Sequence, residues 1–512
     1  MNIRLCLGLL AGFAGFSARA DIVLPAIFAD HLVLQQGREL PLWGWADPAE
    51  KVVVSFKGAT ASAMADADGR WKVTLPAQAI DAVGGELVFA GKNRVTLKDV
   101  VVGEVWLCSG QSNMEWPVEK AQDAAAEIAA ANFPAIRQFL VKKTIAELPA
   151  ESVDGRWAVC SPETVGKFTA VGYFFARDIH RKLGLPVGLI HSSWGGTPIE
   201  SWMSEAKLKS DPAYATVFER RAKLIADFPA EQAKYNEELA AWEKAAAEAK
   251  AAGLEFKTRK PRPPVGPGHP YMAITLYNGM IRPLVPYAMR GVLWYQGESN
   301  AGSASRTNEY QKLFPALIEQ WRAEWGQGDF PFYYVQLANF KTGAPPVATG
   351  VSWAFLREAQ TMTLSVPNTG MAVTIDIGNP DDVHPLNKQE VGRRLALIAL
   401  AKTYGKPDTV YSGPVYRFAT KEGDAWRVHL SHADGLRTGG GAPKGFQIAG
   451  EDGLFVDAEA ALAGDGTIRV RAASVTDPAW VRYAWINSPD ANVFNGAGLP
   501  MVPFRTDTTS RK

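Results

Sequence analysis

Between residues 21 and about 100 the chain alternates apolar and polar positions in short runs: LPLWGWA, KVVVSFKG, WKVTLPA, GELVFAG and RVTLKDVVVG. Gly, Pro and Asp break them. That spacing predicts an N-terminal β-sandwich domain over 21–100. From 101 the rhythm changes. VVGEVWLCSG is a nearly continuous apolar strand, and a helix-like stretch follows from Pro117 to Ala131. The strands VGLIHSS, RGVLWYQ, PFYYVQLA and GMAVTIDI then alternate with helical patterns in FTAVGYFFARDIHRKLG, NEYQKLFPALIEQWRAEWG, WAFLREAQTMTL and NKQEVGRRLALIALAKTYG. Buried strands alternating with helices predict βαβ crossovers, so 101–407 is expected to be an α/β domain with a parallel sheet and helices on both faces. Residues 204–270 interrupt the series with an Ala/Glu/Lys-rich helix and a Pro-rich connector. They read as a helical insertion near the active edge of the sheet, or as a solvated hairpin with no part in the chemistry. After about 408 the alternation returns and predicts a C-terminal β domain over 408–512.

The first twenty residues fit none of these elements. Arg4 precedes an apolar stretch from Leu5 to Phe16, too short to span a bilayer, and Ala18-Arg19-Ala20 forms an A-x-A cleavage signal. Residues 1–20 read as a secretory signal peptide, so a periplasmic or secreted location is expected, with no membrane insertion. Lys and Arg number 54 and Asp and Glu 53; without Arg4 and Arg19 the balance is 52 against 53. A near-neutral chain lacks the excess positive charge that nucleic-acid binding needs. Hydrophobic residues at 47% rule out disorder as the main state. Beyond the leader only Cys108 and Cys160 remain. Both sit in apolar contexts and read equally as a disulfide or as two buried thiols. The seven His show no metal-binding spacing, and neither a metal nor a cofactor is expected.

Four polar, Gly-bearing loops follow four of the expected parallel strands, where α/β sheets place their chemistry. The first is Ser109-Gly110-Gln111-Ser112-Asn113-Met114, which puts Ser112 between a strand end and a helix start. The second, Ser192 to Glu200, contains Gly195 and Gly196, which let a backbone N–H approach a ligand closely. The third is Trp294-Tyr295-Gln296-Gly297-Glu298-Ser299-Asn300. Gln296 can donate to a developing oxyanion, while Glu298 and Asn300 can bond substrate or hold the loop. The fourth carries Asp381, Asp382 and His384, with a capping-box pattern at Asn387 and Glu390 just beyond. A carboxylate this close can fix the tautomer of the imidazole and stabilise its charged form. Taken singly, a strand-end Ser is more often a cap and a loop His is more often solvated.

In this order GQSNMEW, SSWGGTPIESW, WYQGESN and DDVHP resemble the blocks of the SGNH-type esterases, and more closely the sialate O-acetylesterase family of carbohydrate esterases. YNGMIRPL, NKQEVGRRLA, VRYAWINSP and GLPMVPFRTD extend the resemblance over most of the chain beyond the leader. It implies a three-layer αβα catalytic domain flanked by β-sandwich elements, with Ser112 as nucleophile and His384 as base. The acid would be Asp381 by the family spacing, with Asp382 as the neighbouring choice. Oxyanion donors would be the Ser112 N–H, the N–H of Gly196 (in second place Gly195) and the Gln296 side chain. The implied substrate is an O-acetylated sugar or oligosaccharide, either a sialoside or a plant glycan such as xylan or xyloglucan. Other readings are a thioesterase or lysophospholipase on a similar fold, and a non-catalytic carbohydrate-binding protein. The 16 Trp, among them Trp106, Trp116, Trp194, Trp202 and Trp294 beside the motifs, favour sugar over lipid.

Overall fold

The computed structural model describes residues 21–341 and 353–507, so the expected leader lies outside the described residues. Its central sheet contains, in chain order, β1 (Arg94–Gly110), β2 (Phe133–Val141), β3 (Gly155–Cys160), β4 (Val187–Ser193), β5 (Gly291–Tyr295), β6 (Phe332–Val335) and β7 (Thr369–Ala372). Across the sheet they run β7-β6-β5-β1-β4-β2-β3. All are parallel except β3, which pairs antiparallel with β2. β4, β5, β6 and β7 are buried at every position, which is why they read as unbroken apolar runs.

The main helices are α1 (Ala170–Leu183), α2 (Ala215–Ala251), α3 (Ala304–Trp325), α4 (Trp353–Met362) and α5 (Lys388–Lys402). Trp106 of β1 packs edge-on against Phe175 of α1, whereas Trp294 of β5 packs on Phe314 and Trp321 of α3. The two indoles lie on opposite faces of the sheet, so helices cover both. α2 is the insertion predicted within 204–270, and only Val217 along it is buried.

The expected boundary between the N-terminal β domain and the α/β domain falls inside a single strand. The first half of β1 pairs antiparallel with Asp81–Ala90, and its second half runs parallel to β4 and β5. The sequence suggests a break at 100 because the pattern changes from alternating to all-apolar there. The change marks where the second face of the same strand becomes covered. The helix expected over 117–131 is reduced to a 3₁₀ turn at Val118–Lys120 and a short helix at Ala124–Ala129, preceded by a separate helical turn at Ser112–Glu115. Pro117 and the left-handed Asp123 interrupt it. After α5 the chain forms two four-stranded sheets, built from strands between Val415 and Arg505. They lock onto α4 through Arg505–Glu358 and through Arg357, which donates to the carbonyls of Ile486 and Asn487. Cys108 and Cys160 are both free and buried, which resolves their state in favour of two thiols.

Where β1 enters the parallel sheet, Glu104 is fully buried. It accepts two hydrogen bonds from Arg290 and one each from Gln35, Gln36 and Tyr404, tying the edge of the N-terminal module to the start of β5 and the residues just after α5. Glu104→Gln should leave Arg290 short of its counter-charge and lower stability by about 3 kcal/mol, read as a fall in the urea midpoint at unchanged slope.

Candidate active site

β1 ends at Gly110, whose φ of +132° and position beside Tyr295 leave no room for a side chain; a Cβ there would stand 2.2 Å from the Tyr295 carbonyl oxygen. This close approach brings the β1 and β5 ends together and turns the chain into the helical turn Ser112–Glu115. Ser112 therefore sits at the carboxyl edge of the sheet, at its centre.

His384 lies on the loop between β7 and α5. Its Nε2 is 2.9 Å from Ser112 Oγ, although the two residues are 272 positions apart. Its Nδ1 is 3.1 Å from Asp382 Oδ1, and the same carboxylate oxygen accepts the His384 backbone N–H at 2.9 Å. With the proton on Nδ1, the imidazole donates to Asp382 and accepts from Ser112. Trp116 stacks on the imidazole, with centroids 4.9 Å apart and planes 19° apart. Burial lowers the His384 pKa and Asp382 partly opposes this; Lys388 and Lys120 push in the same direction as burial. Asp381, expected from spacing as the acid, is not on the imidazole. Its side chain is 81% exposed and faces Lys341 at 3.4 Å. A bend closed by the bridge between Asn379 and Asp382 turns the second aspartate inward and the first one out. Asn387 caps α5 by accepting from Glu390 N–H, but Glu390 turns to Arg393 and Arg394, so only half of the expected box forms.

The expected oxyanion donors divide. Gly195 N–H is taken by Glu115 at 2.6 Å. Gly196 N–H has no acceptor among the described residues, and both glycines line the cavity at Ser112. Its φ is +79°, and a Cβ there would run into the Tyr271 hydroxyl. Gln296 is fully buried, with its amide hydrogens directed to Asn300 Oδ1 at 2.7 Å and the Thr197 carbonyl at 3.3 Å. It braces two loops and does not reach the cavity. Asn300 likewise holds the loop, accepting from Ile199 N–H and donating to Glu200. The amide that does line the cavity is Gln111, one residue before the serine. Its Oε1 accepts from the N–H groups of Gly297 and Ser299, and its Nε2 has no acceptor among the described residues.

Beneath the serine lies a network that sequence alone leaves unread. Asn113 donates to Glu298 Oε1 at 2.6 Å and to the Val383 carbonyl at 3.0 Å, and it accepts from Lys388 Nζ. Lys388 is fully buried between the rings of Trp116 and Tyr295. Desolvation brings its pKa down to about 7. Burial pushes the Glu298 carboxyl up, and its Oε2 has no hydrogen-bond partner among the described residues. A lysine at the first position of a helix ordinarily reads as solvated, so nothing in the pattern marks this one.

These groups open on a cavity of about 550 Å³, lined also by Tyr271, Phe340 and Trp353. No Lys or Arg is among its described lining residues. No cluster of three or more His, Cys, Asp or Glu among the described residues is arranged to hold a metal ion, and no described helix is long and apolar enough to cross a membrane.

Comparison with known proteins supplies a context. A family model described as carbohydrate esterase, sialic acid-specific acetylesterase, matches residues 102–252 and 268–401. A sialate O-acetylesterase of Rattus norvegicus is 34% identical over 343 residues, spanning 62% of this chain and 59% of that protein. The Homo sapiens sialate O-acetylesterase is 30% identical over 408 residues, 73% of this chain and 69% of that protein. The crystal structure of a carbohydrate acetylesterase from Xanthomonas citri is 40% identical, has a TM-score of 0.81, and is matched over 95% of this chain and 100% of that one.

The two aspartates can be told apart by titration. In Asp382→Asn the His384 pKa should fall further, because the one group that raises it is neutralised. Asp381→Asn should leave it where it is. Proton NMR of the imidazole against pH measures both.

Proposed function

The chain belongs to the carbohydrate esterase family of sialic acid-specific acetylesterases, and from that membership we propose that it is a serine O-acetylesterase of sugars, working through an acetyl-enzyme. The observation that carries this reading is the 2.9 Å approach of His384 Nε2 to Ser112 Oγ, with Asp382 behind the imidazole. The parallel sheet with helices on both faces and the four loops at its carboxyl edge support assignment to the SGNH-like esterases. Residues 1–20 carry the further proposal that the protein is exported.

The reaction follows from the geometry. His384 Nε2 takes the Oγ proton as Oγ attacks the acetyl carbonyl. Negative charge gathers on the carbonyl oxygen, for which the N–H groups of Ser112 and Gly196 and the Nε2 of Gln111, all lining the cavity, are the proposed donors. The C–O bond to the sugar breaks, and the sugar oxygen leaves with the proton held on His384. Water then attacks the acetyl-enzyme, with His384 again as base, and acetate departs as Oγ regains its proton. The depressed His384 pKa keeps the imidazole neutral, and so competent as a base, to lower pH than a free imidazole. Activity should therefore fall on acidification only below the usual histidine range.

Two substrates compete. The family membership favours O-acetyl sialosides. The absence of Lys and Arg among the described lining residues favours a neutral acetylated glycan, since a sialate carboxylate would want a cation. Acetate release from O-acetylated sialosides against acetylated xylo-oligosaccharides separates them.

Ser112→Ala should reduce hydrolysis of 4-nitrophenyl acetate to background while the far-UV spectrum is unchanged. Persistent turnover would refute the mechanism. Gln111→Ala should lower kcat about 100- to 1000-fold. Gln296→Ala should instead act on stability, by about 1–3 kcal/mol, because its amide braces loops and donates to nothing in the cavity.

A further inference from the structure

Away from the serine, a second cleft lies where the N-terminal module meets the catalytic domain. The strand Leu40–Trp45 pairs antiparallel with Arg70–Leu75, setting Trp43 opposite Lys72 and Trp45 opposite Arg70. Alternation turns Leu40, Leu42 and Gly44 inward; Pro41, Trp43 and Trp45 occupy the other face, half-buried. On the partner strand Trp71, Val73 and Leu75 point in while Arg70, Lys72 and Thr74 are exposed. A ribbon face turned away from its own core ordinarily carries polar side chains. Here every such position of one strand is a ring, and the positions across from the two indoles are cations.

The face is roofed without being filled. Pro149–Glu151 and the stretch from Arg282 to Pro286 stand opposite it, enclosing a cleft of about 590 Å³. Trp43 is fixed by an edge-on contact with Phe28, centroids 4.8 Å apart. Same-face positions two residues apart lie roughly 7 Å from each other, the scale of a sugar ring. Arg70 is held by Glu151 at 2.5 Å. Lys72 and Arg282 also line the cleft; neither side chain forms a hydrogen bond or close ion pair among the described residues, although the Arg282 charge is felt by Glu324. Aromatic faces with a few convergent polar groups at a domain seam are the usual construction of a small-ligand site.

We propose that this cleft is a second carbohydrate site, which takes an oligosaccharide segment with its pyranose faces on Trp43 and Trp45 and its oxygens accepting from Lys72 and Arg282. The proposal rests on the reading of the protein as a carbohydrate esterase. The site holds a polymeric substrate while acetyl groups are presented to Ser112, raising their effective concentration. Three cations, Arg70, Lys72 and Arg282, line the cleft against two carboxylates, Asp66 and Glu151, a balance that favours a chain also carrying carboxylates, such as a uronate-substituted glycan, over a neutral one.

The test uses the full chain as Ser112→Ala, so that no ester is consumed, titrated calorimetrically with deacetylated xylohexaose and with a glucuronate-substituted xylo-oligosaccharide. Both should bind, the acidic one more tightly. Trp45→Ala should weaken both about tenfold, and Lys72→Ala with Arg282→Ala should weaken the acidic one by a similar factor. In the active enzyme the same variants should raise KM for acetylated xylan about tenfold relative to KM for 4-nitrophenyl acetate. The double variant alters only surface side chains, so it remains informative if Trp45→Ala does not fold. Absence of binding to either oligosaccharide, or affinities and KM ratios unmoved by both sets of changes, overturns the proposal. Loss of 4-nitrophenyl acetate turnover in the otherwise unaltered enzyme would count against the esterase reading and leave the binding titrations to decide this one.

Discussion

The architecture depends on one strand doing two jobs. Residues 94–110 form an outer member of the N-terminal sheet and then, without a break, the middle of the catalytic one. The two regions cannot move independently, because the backbone hydrogen bonds of both are written on the same seventeen residues. Buried Glu104 stands at the changeover and collects donors from three directions. A strand so constrained delivers its last residue to a fixed place, and the crowding of Gly110 against Tyr295 fixes the direction in which the chain leaves. The position of Ser112 follows from backbone geometry before any side chain of the site is considered.

The surroundings of the serine show how burial and hydrogen bonding are balanced. Desolvation pushes the pKa of His384 down and that of Glu298 up, and it brings that of Lys388 down to about 7. Each shift has the same cause, since burial disfavours the charged form of the group. Asn113 joins these groups, since it touches the carboxyl, the ammonium and the carbonyl next to the imidazole. It couples the loop carrying His384 to the turn carrying Ser112, so the approach of Oγ to Nε2 is set by a neighbour of each residue as well as by the pair.

Periodicity made the α/β core legible because strands covered on both faces have no alternative pattern: VGLIHSS and GVLWY could only be interior. Ser112 and His384 were legible because their loops follow such strands. The acid was not, because Asp381 and Asp382 are adjacent and their orientations depend on a bend closed by Asn379. Gln296 and Gln111 show the same limit. Either amide can serve an oxyanion, and which one faces the cavity is decided by tertiary hydrogen bonds: Gln296 donates to Thr197 and Asn300, whereas Gln111 accepts from Gly297 and Ser299. The module boundary was misread for a physical reason, since burial of a second face mimics the start of a new domain.

The long helix α2 differs from root to tip. Near its start Arg220 reaches Glu200 and Glu309, and Glu200 also receives Asn300 and Arg306. Beyond Val217 nothing on it is buried, although 37 residues at about 1.5 Å each extend roughly 55 Å. Drift in length and composition should therefore collect toward the tip, where the helix meets only its own returning segment, through Trp242 against Phe256 and the Thr258 carbonyl. The root should tolerate almost none, because its arginine grips the glutamate that steadies two loops at the mouth of the catalytic cavity.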